Sequence, residues 1–421
     1  GAAPAAARAA ALAAILGLAL GLAWIAPRGA RAGTEEFSTF HPEGQEEDDE
    51  SIIDHLLTRT PLAWRDEWER APLALRTSQG CLTSGQWFMD NELKLETAMG
   101  RTARFNLDYT QVAGDISDYE FLDFWFRFRL RAGMIGTMFR PMHDKSKQDM
   151  ALAWEVGADS TAFQLRAIYG LEDVFNNLWA WRQSRVGNVS EPYLRHPWEP
   201  ALVVASRHER WRAELSGKYL TPSVRSVPGA TPLDPEHHVT LWGTLADASL
   251  EARGLGLDWS AAGHNQQALG TDGPANLPGP RDHNFRRAWS AEAAVRRALA
   301  RAVDAELRWL YTDRTETWDP PTGPRTLRGL DRVAQLETWW RATPTLTVRA
   351  GGLYDQITVA KTGATAVYSE GSRHESRAYF GLDARFGRVS VAGVEGIELD
   401  PEPYQVVWHH DKAFIKLQTT F

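Results

Sequence analysis

Within VDAELRWLY, Asp304, Glu306 and Arg308 stand two residues apart, and the same spacing of ionised side chains recurs along the chain. Arg104 and Asp108, four apart, keep the same parity, as do Asp123, Arg127 and Arg129 and then Asp383 and Arg385, while Arg166, Arg349, Arg377 and Lys416 stand singly on the polar face of their own segments. In an extended strand a period of two puts such residues on one face. Opposite charges arrayed on a face can pair across strands and stiffen a wall. They can equally set up a transverse field that orients a polar solute inside a constriction. The signs are mixed, so no ring of one sign predicts selectivity for anions or cations.

Other reactive residue types are present in less suggestive settings. His237-His238 follows Glu236, and His409-His410 precedes Asp411, which are metal-ligating types. In strand order the two pairs fall about halfway round from each other, too far apart to share an ion, so no metal is expected. Ser206-Arg207-His208 and Ser372-Arg373-His374 are ordinary strand-end sequence with no nucleophile elbow, and no catalytic residue is assigned. Cys81 is the only cysteine, which excludes an intrachain disulfide, a C-x-x-C redox or metal motif and covalent haem attachment. No cofactor is expected. Net charge is −8 with Lys and Arg dispersed, which does not describe a nucleic-acid binder.

The elements that position these charges are strands. Leu93, Leu95, Thr97 and Met99 alternate with Glu92, Lys94 and Glu96. In LDFWFRFRL, Leu122, Phe124, Phe126, Phe128 and Leu130 oppose Asp123, Trp125, Arg127 and Arg129. Val303, Ala305, Leu307, Trp309 and Tyr311 oppose Asp304, Glu306 and Arg308, and the chain ends on AFIKLQTTF with the same alternation. Short turns near 100–101, 131–133, 158–161, 209–211, 251–254, 298–301, 342–345 and 386–388 alternate with long Pro/Gly/Asp-rich connections. That places every short turn on one rim and every long loop on the other. Segments 239–251 and 389–399 alternate less cleanly and predict bulges.

Two N-terminal segments differ from this. ALAAILGLALGLAWIA, Ala11 to Ala26, preceded by Arg8 and followed by Ala30-Arg31-Ala32, reads as an export signal occupying residues 1–32. Residues 33–72 read as an acidic arm, with one short amphipathic helix over Ser51–Leu57.

An apolar face on every strand needs something oily along its whole length. Aromatics near strand ends, such as Tyr109, Trp154, Tyr169, Trp211, Trp259, Tyr311 and Phe421, suit the two boundaries between hydrocarbon and water. Inside a bilayer each backbone polar group must be paired within the protein, so the strands must close into a cylinder.

On these residues the chain resembles the Gram-negative outer-membrane β-barrels, porin-like in the broad sense, over roughly residues 73–421. The resemblance implies an all-β fold: a transmembrane antiparallel up-and-down barrel of about 18 strands, with 16 as the alternative, and short turns and arm in the periplasm. It implies that Phe421 belongs to the signal read by the barrel-assembly machinery, and that the lipid bilayer is the protein's main partner. The expected function is a channel for polar solutes lined by the charges named above. The alternatives are a sheath around a partner protein, such as a multihaem cytochrome or an export component, and, less favoured, an outer-membrane hydrolase.

Overall fold

The structure, a computed structural model, describes residues 67–68, 71–81, 87–114, 119–139, 148–157, 162–172, 193–195, 198–227, 237–274, 282–319, 325–363, 369–399 and 410–421. The export signal, the helix expected over 51–57 and most of the long connections lie outside the described residues.

One antiparallel sheet accounts for nearly all of them. Its first strands are β1 (Leu73–Cys81), β2 (Trp87–Met99), β3 (Ala103–Gly114), β4 (Tyr119–Leu130), β5 (Gly133–Phe139), β6 (Gln148–Val156) and β7 (Gln164–Glu172). Next come β8 (Tyr193–Arg195), β9 (Trp198–His208), β10 (Trp211–Val227), β11 (His237–Gly254), β12 (Leu257–Pro274) and β13 (Asp282–Ala300). The last are β14 (Val303–Asp319), β15 (Arg325–Thr343), β16 (Leu346–Gly363), β17 (Ser369–Phe386), β18 (Val389–Glu398) and β19 (His410–Thr420). Strand β8 has 3 residues and pairs with the upper part of β10, at Val224↔Arg195, while β7 pairs directly with β9. The remaining 18 strands close the cylinder.

Closure is made by the ends of the wall. β1 and β19 pair from Ala74↔Thr420 to Cys81↔Ala413, and the Phe421 N–H donates to the Leu73 carbonyl at 2.9 Å. Both wall ends therefore share a rim with the short turns. The expected turn 158–161 lies outside the described residues, and the others sit within a few residues of their places; the least accurate, 251–254, is the tight turn Leu255-Gly256, with both residues at positive φ. Register shifts occur at Leu220/Ser223, opposite the irregular segment 239–251, and at Gly396/Ile397.

Side-chain parity follows the sequence. Leu307, Trp309, Leu336, Trp340, Phe380, Leu382, Ile415 and Leu417 are exposed on the outer surface. Their strand neighbours Glu306, Arg308, Gln335, Glu337, Tyr379, Lys416 and Gln418 are buried on the inner one. On β14 the outward apolar run goes from Val303 to Tyr311, eight steps, or about 20 Å at the rise and tilt usual for membrane strands. Trp289 and Tyr311 pack at 4.7 Å and Tyr354 stacks on His374 at 6.0 Å, one girdle of the band.

Strand length is uneven around the wall. β10 to β17 run to 17–19 residues, whereas β5, β6 and β7 have 7, 9 and 9. Above the girdle the outer face of the long strands turns polar, and Arg328 pairs there with Asp313 at 2.8 Å. Tyr311 is thus a mid-strand residue. Half of the wall rises well clear of the hydrocarbon, toward the long loops.

Candidate functional site: the inner wall

Most of the fourteen charges expected to line the interior are joined in ion pairs, across strands or along one. Asp304 accepts from Arg296 at 2.8 Å and lies 3.5 Å from Arg341. Arg308 reaches both Glu306 and Glu292. Arg349 donates to Glu337 at 2.7 Å and approaches Asp383 at 3.9 Å. Arg377 pairs with Glu375 at 3.1 Å, and Arg104 with Glu96 at 3.7 Å. Arg127 and Arg166 share one carboxylate, Glu155, at 3.9 and 3.0 Å.

The acidic partners are what the sequence reading missed. Glu155, Glu292 and Glu337 have the correct parity, but register alone decides which arginine each one meets; Glu375 meets Arg377 along its own strand. The Arg349–Glu337 pair is buried, its side chains 5% and 7% exposed. Removing one partner strands a charge in a poorly solvated place, which costs far more than the pair itself is worth. The ladder on β13 to β17 is therefore a stiff lining.

The β3–β4 wall is arranged differently. Asp108 stands directly opposite Asp123, and Arg104 directly opposite Arg127, with Asn106 and Trp125 between. Like charges in register oppose folding. Lys94, across β2, is in register with Asp108 on its other side. Arg129 lies one position nearer the short-turn rim. This pair of strands carries carboxylates high and guanidinium groups low.

An apolar patch interrupts the charges. Val333, Leu353, Tyr379, Val394 and Phe414 form a buried cluster on the inner wall, flanked by Phe88 and Leu310. The Tyr379 hydroxyl accepts from Gln335 Nε2 at 2.6 Å. Parity had marked this face as polar, yet Tyr379 lies between Arg377 and Gly381 on it.

The short-turn mouth has two features. Arg101, Arg131, Arg210, Arg301 and Arg388 occupy its turns and are exposed. The segment leading into β1 lies across the inner side of this mouth. The Glu67 carboxylate pairs with Arg385 at 2.5 Å, the Trp68 carbonyl accepts from Lys94 at 3.1 Å, and the Arg76 guanidinium lies 4.4 Å from the Trp68 ring centroid. Arg385 belongs to β17, and Arg76 and Lys94 to β1 and β2, so the contact spans β17 to β2. The last described residues of the arm are inside the rim.

The two histidine pairs are separated around the wall. His238 lies on β11 and His410 on β19, eight staves away, and His409 is outside the described residues. Among the described residues no group of three or more His, Cys, Asp or Glu could hold a metal ion. A histidine the sequence did not flag, His264, places Nδ1 2.5 Å from Asp247 Oδ1, and Ser216 donates to the other oxygen of that carboxylate at 3.1 Å. The Ser216 hydroxyl thus serves the carboxylate and not the imidazole, an orientation unlike a serine–histidine relay. Cys81 is exposed and unbridged.

A closed antiparallel cylinder, with an aromatic-bounded apolar band outside and ionised groups inside, is an integral β-barrel of the bacterial outer membrane. No family model matches the chain, and no curated protein matches it in sequence. Among solved structures it is similar to CdiB from Acinetobacter baumannii, with 10% identity and a TM-score of 0.43 over 83% of this chain; it spans 60% of the CdiB chain. It is similar to OmpT, an outer membrane protein of Vibrio cholerae, at 10% identity and TM-score 0.37, covering 83% of this chain and 96% of that one. Pseudomonas aeruginosa OccK5 (OpdH) gives 11% identity and TM-score 0.38, covering 83% and 97%. At such identities the likeness is one of barrel architecture and goes no further.

Proposed function

We propose that the protein is a channel that passes polar solutes across the outer membrane, with its short turns in the periplasm and without catalysis. The observation that carries this reading is the inner wall itself. A cylinder of this strand number has a backbone diameter of roughly 35 Å by the usual strand spacing and tilt, too wide for wall side chains to fill. Its interior presents ionised groups of both signs from β2 to β19, a surface suited to water and polar solutes. The unequal wall supplies the asymmetry for solute orientation: paired charges on β13 to β17 face in-register like charges on β3 and β4.

Incorporation of the full chain into planar bilayers tests the reading. Discrete conductance steps in potassium chloride support it, and silent insertion of folded barrel overturns it. The runner-up is a sheath for a partner protein. It draws support from the mouth, where polypeptide already lies inside the rim at Glu67 and Trp68. A stable complex that forms only with such a partner, together with absent or unselective conductance of the lone barrel, would favour it.

A further inference from the structure

We infer that the acidic segment Glu35–Asp54 docks on the arginine-rich short-turn mouth of its own barrel. Three observations converge. First, five turn arginines, Arg101, Arg131, Arg210, Arg301 and Arg388, ring that mouth in exposed positions, while the turns of the same rim contribute one described carboxylate, Glu209. Second, Glu35 to Asp54 holds nine carboxylates and no Lys or Arg, the most acidic stretch of the chain. Third, the arm is led to the mouth and not away from it. Glu67 pairs with Arg385, and Trp68 is held by Lys94 and Arg76, on the inner side of the rim.

The tether makes the encounter intramolecular. Twelve residues lie between Asp54 and Glu67, and a stretch of that length reaches at most about 45 Å when extended, more than the barrel's width. Both groups therefore share a volume in which the effective concentration is on the order of millimolar. Individual pairs between exposed groups are weak. Several of them on one tethered segment add up, and the sum falls steeply with ionic strength. Docking of this kind leaves the wall pairs untouched.

Proteolysis of the arm in the full chain reads this directly and needs no transport activity. A glutamate-specific protease acts on the detergent-solubilised protein, without lipid, at 20 and 500 mM sodium chloride, and a free peptide of the Glu35–Asp54 sequence corrects for salt effects on the protease. The expected result is cleavage of the arm at least tenfold slower at low salt than at high salt. The variant in which all five turn arginines become Gln should be cleaved at the fast rate under both conditions. Folding of that variant is checked by its far-UV spectrum, and a second variant, Arg328→Gln with Arg332→Gln on the outer wall, should keep the wild-type salt dependence. Equal cleavage of wild type and five-Gln variant at both salts overturns the docking, whatever the conductance shows.

Discussion

The Tyr379 ring packs against Gly351 on the neighbouring strand: a Cβ built at Gly351 would come within 2.5 Å of Tyr379 Cζ and of its hydroxyl oxygen. The pair sits where the apolar patch meets the Arg349–Glu337 ladder, so the missing side chain on β16 is the seat of that patch's tyrosine ring.

Gly351→Ala should displace that ring and cost about 1–3 kcal/mol, the range for overpacking. Gly352→Ala, whose added carbon would meet the Arg377 carbonyl at an ordinary 3.4 Å, should leave the barrel within about 1 kcal/mol. Denaturant unfolding of the refolded proteins in detergent compares the two. Equal stability of both variants would mean that the ring is not held by this seat.

The charge ladder predicts a contrast between inside and outside. Arg349→Met leaves Glu337 and Asp383 facing each other without their cation, at a cost of about 3–5 kcal/mol. Adding Glu337→Gln and Asp383→Asn should recover most of that loss. Arg328, with a side chain 55% exposed, pairs with Asp313 outside the band, and Arg328→Met should cost at most about 1 kcal/mol. The same unfolding series checks all four proteins; a recovery that fails to appear would show that Arg349 acts through packing and not through charge.

The height of the apolar band is also open to test. Leu307 is outward, 61% exposed and inside the band, so Leu307→Arg should weaken membrane insertion by about 2–4 kcal/mol. Thr315, outward on the same strand but beyond Tyr311, should accept Arg at a cost of less than about 1 kcal/mol. Refolding yields into liposomes distinguish them. Similar penalties at both positions would raise the band edge above Asp313.

Arg127 and Arg166 share Glu155, whose side chain is 5% exposed. Glu155→Gln should leave two guanidinium groups on the lumen wall and move the reversal potential in a potassium chloride gradient toward anion permeation. An unchanged reversal potential would place these groups outside the conducting path.

Phe421 contributes its N–H to Leu73 but keeps a half-exposed ring. The backbone bond survives Phe421→Ala, so the refolded variant should unfold near the wild-type midpoint while its assembled level in a bacterial outer membrane falls severalfold. Normal assembly in cells would remove the residue from the recognition signal that the family resemblance implies.

Parity is a local property, and the sequence carried it almost without loss. Period-two alternation at Leu122–Leu130, Val303–Tyr311 and Ala413–Phe421 told inside from outside because each side chain has only two directions available on a strand. The alternation of short turns with long connections told one rim from the other, and the strand number of about 18 came from the family resemblance. Relations across strands were not legible there. Which carboxylate meets Arg349, that Asp108 faces Asp123, and that Tyr379 finds its seat on Gly351 all depend on register, which couples residues dozens of positions apart through backbone pairing. Strand length beyond the membrane was hidden as well, because a polar outer face reads like a loop until its neighbours pair with it. The position of Glu67 and Trp68 inside the mouth likewise required the closed cylinder, since only closure brings β17 and β2 to the same side of the arm.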